Sequence, residues 1–249
     1  MITFVILFVA AFCAGVQNAL AGGGSFLTFP ALMLTGLDAR AANITSTVAL
    51  FPGQITTGLA GRKNVSDLPQ LSFKALFVIS LIGGVLGAIL LLVTPVSVFE
   101  FLIPWLVLFA TFVFLWGSFF RKVKENSKPL GPIGASFAQL GISIYGGYFG
   151  GGIGILMLAA LTIAGLDVRK AGATKNVLAG VMNASAVLIF LFSKDVAWTQ
   201  VMIASIASIA GGQLGAFALK RVNEKILRVC IIILGFGLAI GLFMKAHGA

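Results

Sequence analysis

Apolar stretches fill most of the chain, and short polar, mostly basic segments separate them. A helix needs roughly 20 apolar residues to cross a hydrocarbon core of about 30 Å. Six blocks have that length, at 41–60, 74–93, 98–120, 171–192, 197–219 and 226–244. Two blocks, 2–37 and 133–166, are too long for one crossing, and glycines interrupt both. The first interruption reads "LAGGGSF", with Gly22, Gly23 and Gly24. The second reads "YGGYFGGGIG", with Gly146, Gly147, Gly150, Gly151, Gly152 and Gly154. Each long block predicts a helix, a break and a half-helix of about 13 residues, which is about 20 Å long and shorter than the membrane is thick.

A phrase repeats along this pattern. "GLDARAANITS" begins at Gly36, and "GLDVRKAGATK" begins at Gly165. The chain therefore divides into two copies of one unit, 1–120 and 133–249, each a broken pair followed by three spans. The basic linker "RKVKENSKPLGP" (121–132) joins them within one integrated transmembrane domain. The predicted fold is all-α and polytopic. Charge orients the copies, because cytoplasmic loops collect Lys and Arg. With the linker in the cytoplasm and each broken pair returning to its starting side, only Arg40, Lys194 and Lys245 of the 17 basic residues lie outside. Parallel copies would place "TPVSVFE" (94–100) and "KRVNEK" (220–225) on one side, against their opposite charge character. The expectation is two inverted-topology repeats with both termini outside. Secondary transporters are often built this way, with the substrate site near the midplane where broken helices meet.

Composition narrows the class. The chain of 249 residues is 59% hydrophobic and 10% charged, against about 25% charged in a soluble domain. Mean hydropathy is +1.09. The lipid bilayer is the expected partner. A net charge of +10 would suggest nucleic acid in a soluble protein, but here the basic residues sit in short loops between spans, and no nucleic acid is expected. The N-terminal run lacks a basic n-region and reads as a first span rather than a secretory signal. Cys13 and Cys230 lie in apolar segments and make no disulfide framework. They read as packing residues, with redox or sulfur chemistry as the alternative.

The candidate chemistry is anion binding. Unwound backbone in hydrocarbon is tolerated only where it lines a cavity or faces protein. Half-helices starting near Gly24 and Gly152 would present backbone N–H groups and a helix dipole, both of which favour an anion. Close helix packing by small residues is the competing explanation. Aligning the repeats pairs Thr45 with Thr174, Ser46 with Lys175, Thr47 with Asn176 and Gln54 with Asn183. Thr47 and Gln54 share a helix face, as do Asn176 and Asn183; Asn43 and Asn18 extend the polar set. These residues either bind oxyanion oxygens or tie helices together, at about 0.6 kcal/mol per bond in membranes.

Lys175, where the first copy has Ser46, is either the fixed charge that attracts the substrate or a boundary residue that snorkels. Asp38 and Asp167 are expected to cap the helices that follow. The acidic residues and the single His247 map to loops, segment ends or the tail, so no intramembrane proton relay is visible. No catalytic motif, metal cluster or cofactor motif is present, and neither an enzyme nor a lone ATP-driven pump is expected.

The stretches "AGGGSFLTFPALMLTGLDARAANITSTVALFPG" and "GGYFGGGIGILMLAALTIAGLDVRKAGATKNVLAGVMNASA" resemble the TauE/SafE sulfite exporter family over nearly the whole chain. The resemblance implies a prokaryotic inner-membrane protein that moves sulfite, sulfonates or related sulfur compounds. The motif positions it carries are Gly22, Gly23 and Gly24 with Pro30 and Asn43 to Ser46, then Gly150, Gly151 and Gly152 with Lys175, Asn176 and Asn183. The expected function is export of a small sulfur-containing anion, sulfite or an organosulfonate, by alternating access. Alternatives are a cation-coupled importer of thiosulfate or another organic anion, a non-transporting membrane subunit, and an enzyme using the cysteines. A homo-oligomer is left open.

Overall fold

A computed structural model describes residues 1–20, 23–120, 130–218 and 224–247, which form ten α-helices and no strand among the described residues. The first long block becomes α1 (Ile2–Leu20) and α2 (Ser25–Leu34); the second becomes α6 (Pro132–Tyr148) and α7 (Ile153–Ile163). The remaining helices are α3 (Ala39–Gly61), α4 (Phe73–Val93), α5 (Val96–Leu115), α8 (Val168–Phe190), α9 (Trp198–Ala218) and α10 (Glu224–His247). Gly22 and most of the 121–132 linker lie outside the described residues.

Local chemistry sets these boundaries. Asp38 caps α3 by accepting from the Ala41 amide at 3.0 Å, and Asp167 caps α8 by accepting from Lys170 at 2.9 Å. The half-helices have 10 and 11 residues, shorter than expected. Gly36 (φ +97°) and Gly165 (φ +109°), the first residues of the repeated phrase, take left-handed conformations just after the half-helices end. The second break is also narrower than expected. Gly146 and Gly147 stay helical inside α6, and the chain unwinds only over 149–152. The span expected at 98–120 ends as an α-helix at Leu115 and continues as a short π-helical turn, Trp116–Phe120. Cys13 is exposed rather than packed among the described residues; the Cys230 side chain lies outside the described set.

The packing pairs exchange between the two units. α1, the first helix of one unit, lies against α9, the fourth of the other; α6 lies against α4 in the same relation. α3 packs on α9, α8 packs on α4, and α3 and α8 meet each other. Glycines allow the closest of these approaches. A Cβ on Gly15 would strike the Ser208 carbonyl, and one on Gly211 the Phe12 carbonyl, both at the α1–α9 contact. A Cβ on Gly147 would strike the Gly84 carbonyl between α6 and α4.

Connections fall into two groups. Arg40 pairs with Asp195 at 3.0 Å and donates to the Thr94 carbonyl at 3.0 Å, while Gln200 reaches Thr35 at 3.5 Å. Separately, Leu130 donates to the Ile163 carbonyl at 3.3 Å, and Gln70 reaches the Ala164 carbonyl at 3.5 Å. The core is largely apolar but also takes in polar side chains such as Gln17, while the outer surface exposes large apolar ones, among them Phe101, Trp105, Phe112 and Trp116. Phe73–Val93, Val96–Leu115 and Val168–Phe190 are each long and apolar enough to cross a bilayer. The protein is an all-α polytopic membrane protein.

Candidate substrate site

The two breaks and the two polar stripes converge on one cavity. Its walls are Asn18, Gly23 and Ser25 at the first break, and Gly150, Ile153 and Gly154 at the second. Thr47, Leu50 and Gln54 enter from α3; Lys175, Asn176, Ala179 and Asn183 enter from α8. The spacings on α3 and α8 are those of a single helix face, so each helix presents one stripe to the cavity. Its volume is about 50 Å³. One water occupies about 10–15 Å³ by this measure, so the space suits about three to five water-sized groups.

Electrostatically the site has one sign. Among the described residues Lys175 is the one charged residue in the walls, and no Asp, Glu or His joins it. α8 begins at Val168, so Lys175 lies about 10 Å along that helix, nearly two turns from its start. At the first break, the Asn18 side-chain carbonyl accepts from the Gly24 amide at 2.7 Å. At the second, Gly152 holds φ +73° as the residue before α7, a conformation that glycine alone adopts without strain. Gln54 and Asn183 face each other across the seam, with Asn183 Nδ2 donating to Gln54 Oε1 at 2.6 Å. Thr47 bonds back to the Asn43 carbonyl at 3.0 Å.

Several expected site residues stand elsewhere. Thr45 accepts from the Ala197 amide at 3.1 Å, and Thr174 accepts from the Ser66 amide at 3.2 Å. Each repeat-related threonine thus anchors the loop ahead of the other unit's fourth helix. Ser46 shares a 2.6 Å hydrogen bond with Thr28 of α2, and Asn43 donates to the Tyr148 carbonyl at 3.0 Å. Gly24, Gly151 and Gly152 shape the breaks without lining the cavity. Ser25, Leu50, Ile153, Gly154 and Ala179 were not anticipated. The α3 and α8 members carried a signal, since they lie three or four residues from residues that were named. A buried cluster in which Gln139 donates to Ser80 at 2.7 Å ties α6 to α4 away from the site. Among the described residues no group of three or more His, Cys, Asp or Glu could hold a metal ion.

Outside the membrane, the Lys170 amide hydrogen bond holds the Asp167 carboxyl below the usual carboxylate range, and the nearby Lys170 charge acts the same way. Lys170 Nζ lies 3.6 Å from that carboxylate.

Known proteins match the chain over nearly its full length. The sulfite exporter TauE/SafE family model matches residues 7–242. A probable membrane transporter protein of Haemophilus influenzae is 29% identical over 237 residues, covering 93% of this chain and 91% of that protein. A probable membrane transporter protein, ORF9, of a Sinorhizobium species is 31% identical over 239 residues, covering 95% and 90%. The probable membrane transporter protein YfcA of Escherichia coli K12 is 27% identical over 249 residues, covering 98% and 90%. With a family model spanning the bundle from α1 to α10 and relatives aligned end to end, the chain belongs to the TauE/SafE sulfite exporter family of membrane transporters.

Proposed function

We propose that this transporter exports a small sulfur-containing anion, sulfite or a short organosulfonate, from the cytoplasm across the prokaryotic inner membrane. The observation that carries this reading is the composition of the cavity. Both chain breaks, two amide- and hydroxyl-bearing stripes and one lysine line it, and among the described residues no acidic one does. Uncharged donors and a single cation suit an oxyanion, and the small volume suits a compact one.

The mechanism is alternating access by two inverted repeats of residues 1–120 and 133–249. Support comes from the two groups of connections. The phrase at Gly36 borders the group holding Asp195 and Thr94, whereas the phrase at Gly165 borders the group holding Gln70 and Leu130. Equivalent points of the two units therefore belong to different groups, as inversion requires. Arg62, Lys63, Arg169 and Lys170 are exposed near the second group, which the positive-inside rule assigns to the cytoplasm, with both termini outside. A potential negative inside then drives each exported negative charge by about 2.3 kcal/mol per 100 mV, so no proton relay is required.

The test is flux in liposomes that contain only this protein, using sulfite, sulfate, thiosulfate and short sulfonates. Potential-driven movement of a sulfur oxyanion is expected. Vesicles as tight to every anion as protein-free controls would sink the proposal. Dependence on a sodium or proton gradient would instead establish coupled import.

A further inference from the structure

The two breaks resemble each other in sequence but differ in what their polar groups already hold. In the first unit, the Gly24 amide and the Ser46 hydroxyl are engaged, and Ser25 and Thr47 bring neutral polar groups to the cavity. The Gly24 amide at the start of α2 is taken by Asn18 Oδ1 at 2.7 Å, and Ser46 is bonded to Thr28 at 2.6 Å. In the second unit neither bond has a counterpart. The place equivalent to Asn18 falls on Gly146 or Gly147, which have no side chain to cap α7. Ser46 is replaced by Lys175, which lines the cavity and has no hydrogen-bond or ion-pair partner among the described residues. Ile153 and Gly154, the first residues of α7, line the same cavity.

We infer that the charge-binding seat lies in the second unit, between the N-terminal amides of α7 and the Lys175 ammonium, while Asn18 holds the Gly24 amide at the start of α2 and does not itself contact the anion. This rests on the anion-transport reading and adds which half of the molecule carries the charge-binding seat. The physical reason is competition for the same donors. An amide already bonded to Asn18 must give up that bond before it can reach a ligand, whereas an unpartnered ammonium and an uncapped helix start need exchange only water. It follows that the first unit contributes shape and neutral polar contacts. On this account Asn18 is not a ligand contact, although it sits in the cavity wall.

The experiment measures sulfite affinity of the purified full-length protein by calorimetry, with sulfate and a short sulfonate in parallel and melting temperature as the folding control. Lys175→Met is expected to weaken binding about tenfold or more, and Lys175→Arg to restore it to within a few fold. Asn18→Ala is expected to bind within twofold of the unmodified protein, because the Gly24 amide it frees does not line the cavity. Lys175→Met within twofold of the unmodified protein would overturn the inference. So would Asn18→Ala that melts normally yet binds threefold or more weaker, because Asn18 would then be an anion contact. If the unmodified protein binds none of sulfite, sulfate and a short sulfonate, the transport reading itself fails, and that outcome is distinct from either variant pattern.

Discussion

Asn183 Nδ2 donates to Gln54 Oε1 across 2.6 Å, and these two residues pair when the two halves are aligned on the repeated phrase. Repeat-related side chains meet where α3 and α8 face each other, at the wall of the cavity. A bond of this kind reports the relation between the units directly, because any rocking of one against the other must stretch it.

The pair should therefore couple. Asn183→Ala and Gln54→Ala, made singly and together, are expected to give a coupling of about 0.5–1.5 kcal/mol in a double-mutant cycle of unfolding free energy. Additive losses would show that the bond contributes nothing beyond its two side chains.

Close approach of backbones makes a second prediction. A Cβ on Gly87 would strike the Ile144 carbonyl, whereas one on Gly172 meets nothing within 4 Å. Gly87→Ala is expected to cost about 1–3 kcal/mol by overpacking the α4–α6 contact. Gly172→Ala, within α8, is expected to be neutral or to stabilise by up to about 1 kcal/mol. Melting temperatures in one detergent compare the two.

The second break depends on Gly152. Alanine there would have to hold φ +73° and bring its Cβ to 3.3 Å from Ala110. The left-handed conformation alone costs about 1–2 kcal/mol. Gly152→Ala is expected to lower both melting temperature and anion flux, with flux normalised to folded protein. Retention of both would show that the break does not need this conformation.

Acid should weaken the α8 cap. The Asp167 carboxyl is depressed by the Lys170 amide, so its contribution to stability is full above the ordinary carboxylate range near pH 4 and is lost as pH falls through its lowered value. Asp167→Asn keeps a capping oxygen that does not titrate. The melting-temperature gap between the native protein and this variant is expected to shrink as pH drops from 7 to 3; a constant gap would exclude the linkage.

Sidedness is open to chemical labelling. Lys63 and Lys194 are both exposed, and each borders a different group of connections. In a background of Cys13→Ser and Cys230→Ser, Lys194→Cys is expected to react with a membrane-impermeant thiol reagent in intact spheroplasts. Lys63→Cys should react only after lysis. Equal labelling would contradict the inverted arrangement.

Much of this fold is legible in one dimension. A bilayer demands runs of about 20 apolar residues, and a chain that unwinds inside one needs small, flexible residues at the break. Hence the spans at 74–93 and 171–192 lie within three residues of α4 and α8, and the caps at Asp38 and Asp167 stand where the repeated phrase puts them. Gly146 and Gly147 misled because packing glycines and break glycines look alike. Only packing separates them: Gly147 meets the α4 backbone at Gly84, and Gly146 meets the Met182 side chain of α8.

The sequence by itself determined the medium, the helix inventory, the two breaks and the twofold repetition, because each is imposed by neighbours along the chain or by the solvent. Tertiary structure alone decided which polar residues face the cavity. Thr45, Ser46 and Thr47 are consecutive, yet they meet the loop before α9, the α2 hydroxyl of Thr28 and the cavity respectively. A helix turns by about 100° at each residue. Neighbours in sequence therefore look in different directions, and what each one sees is set by helices that the local pattern does not place.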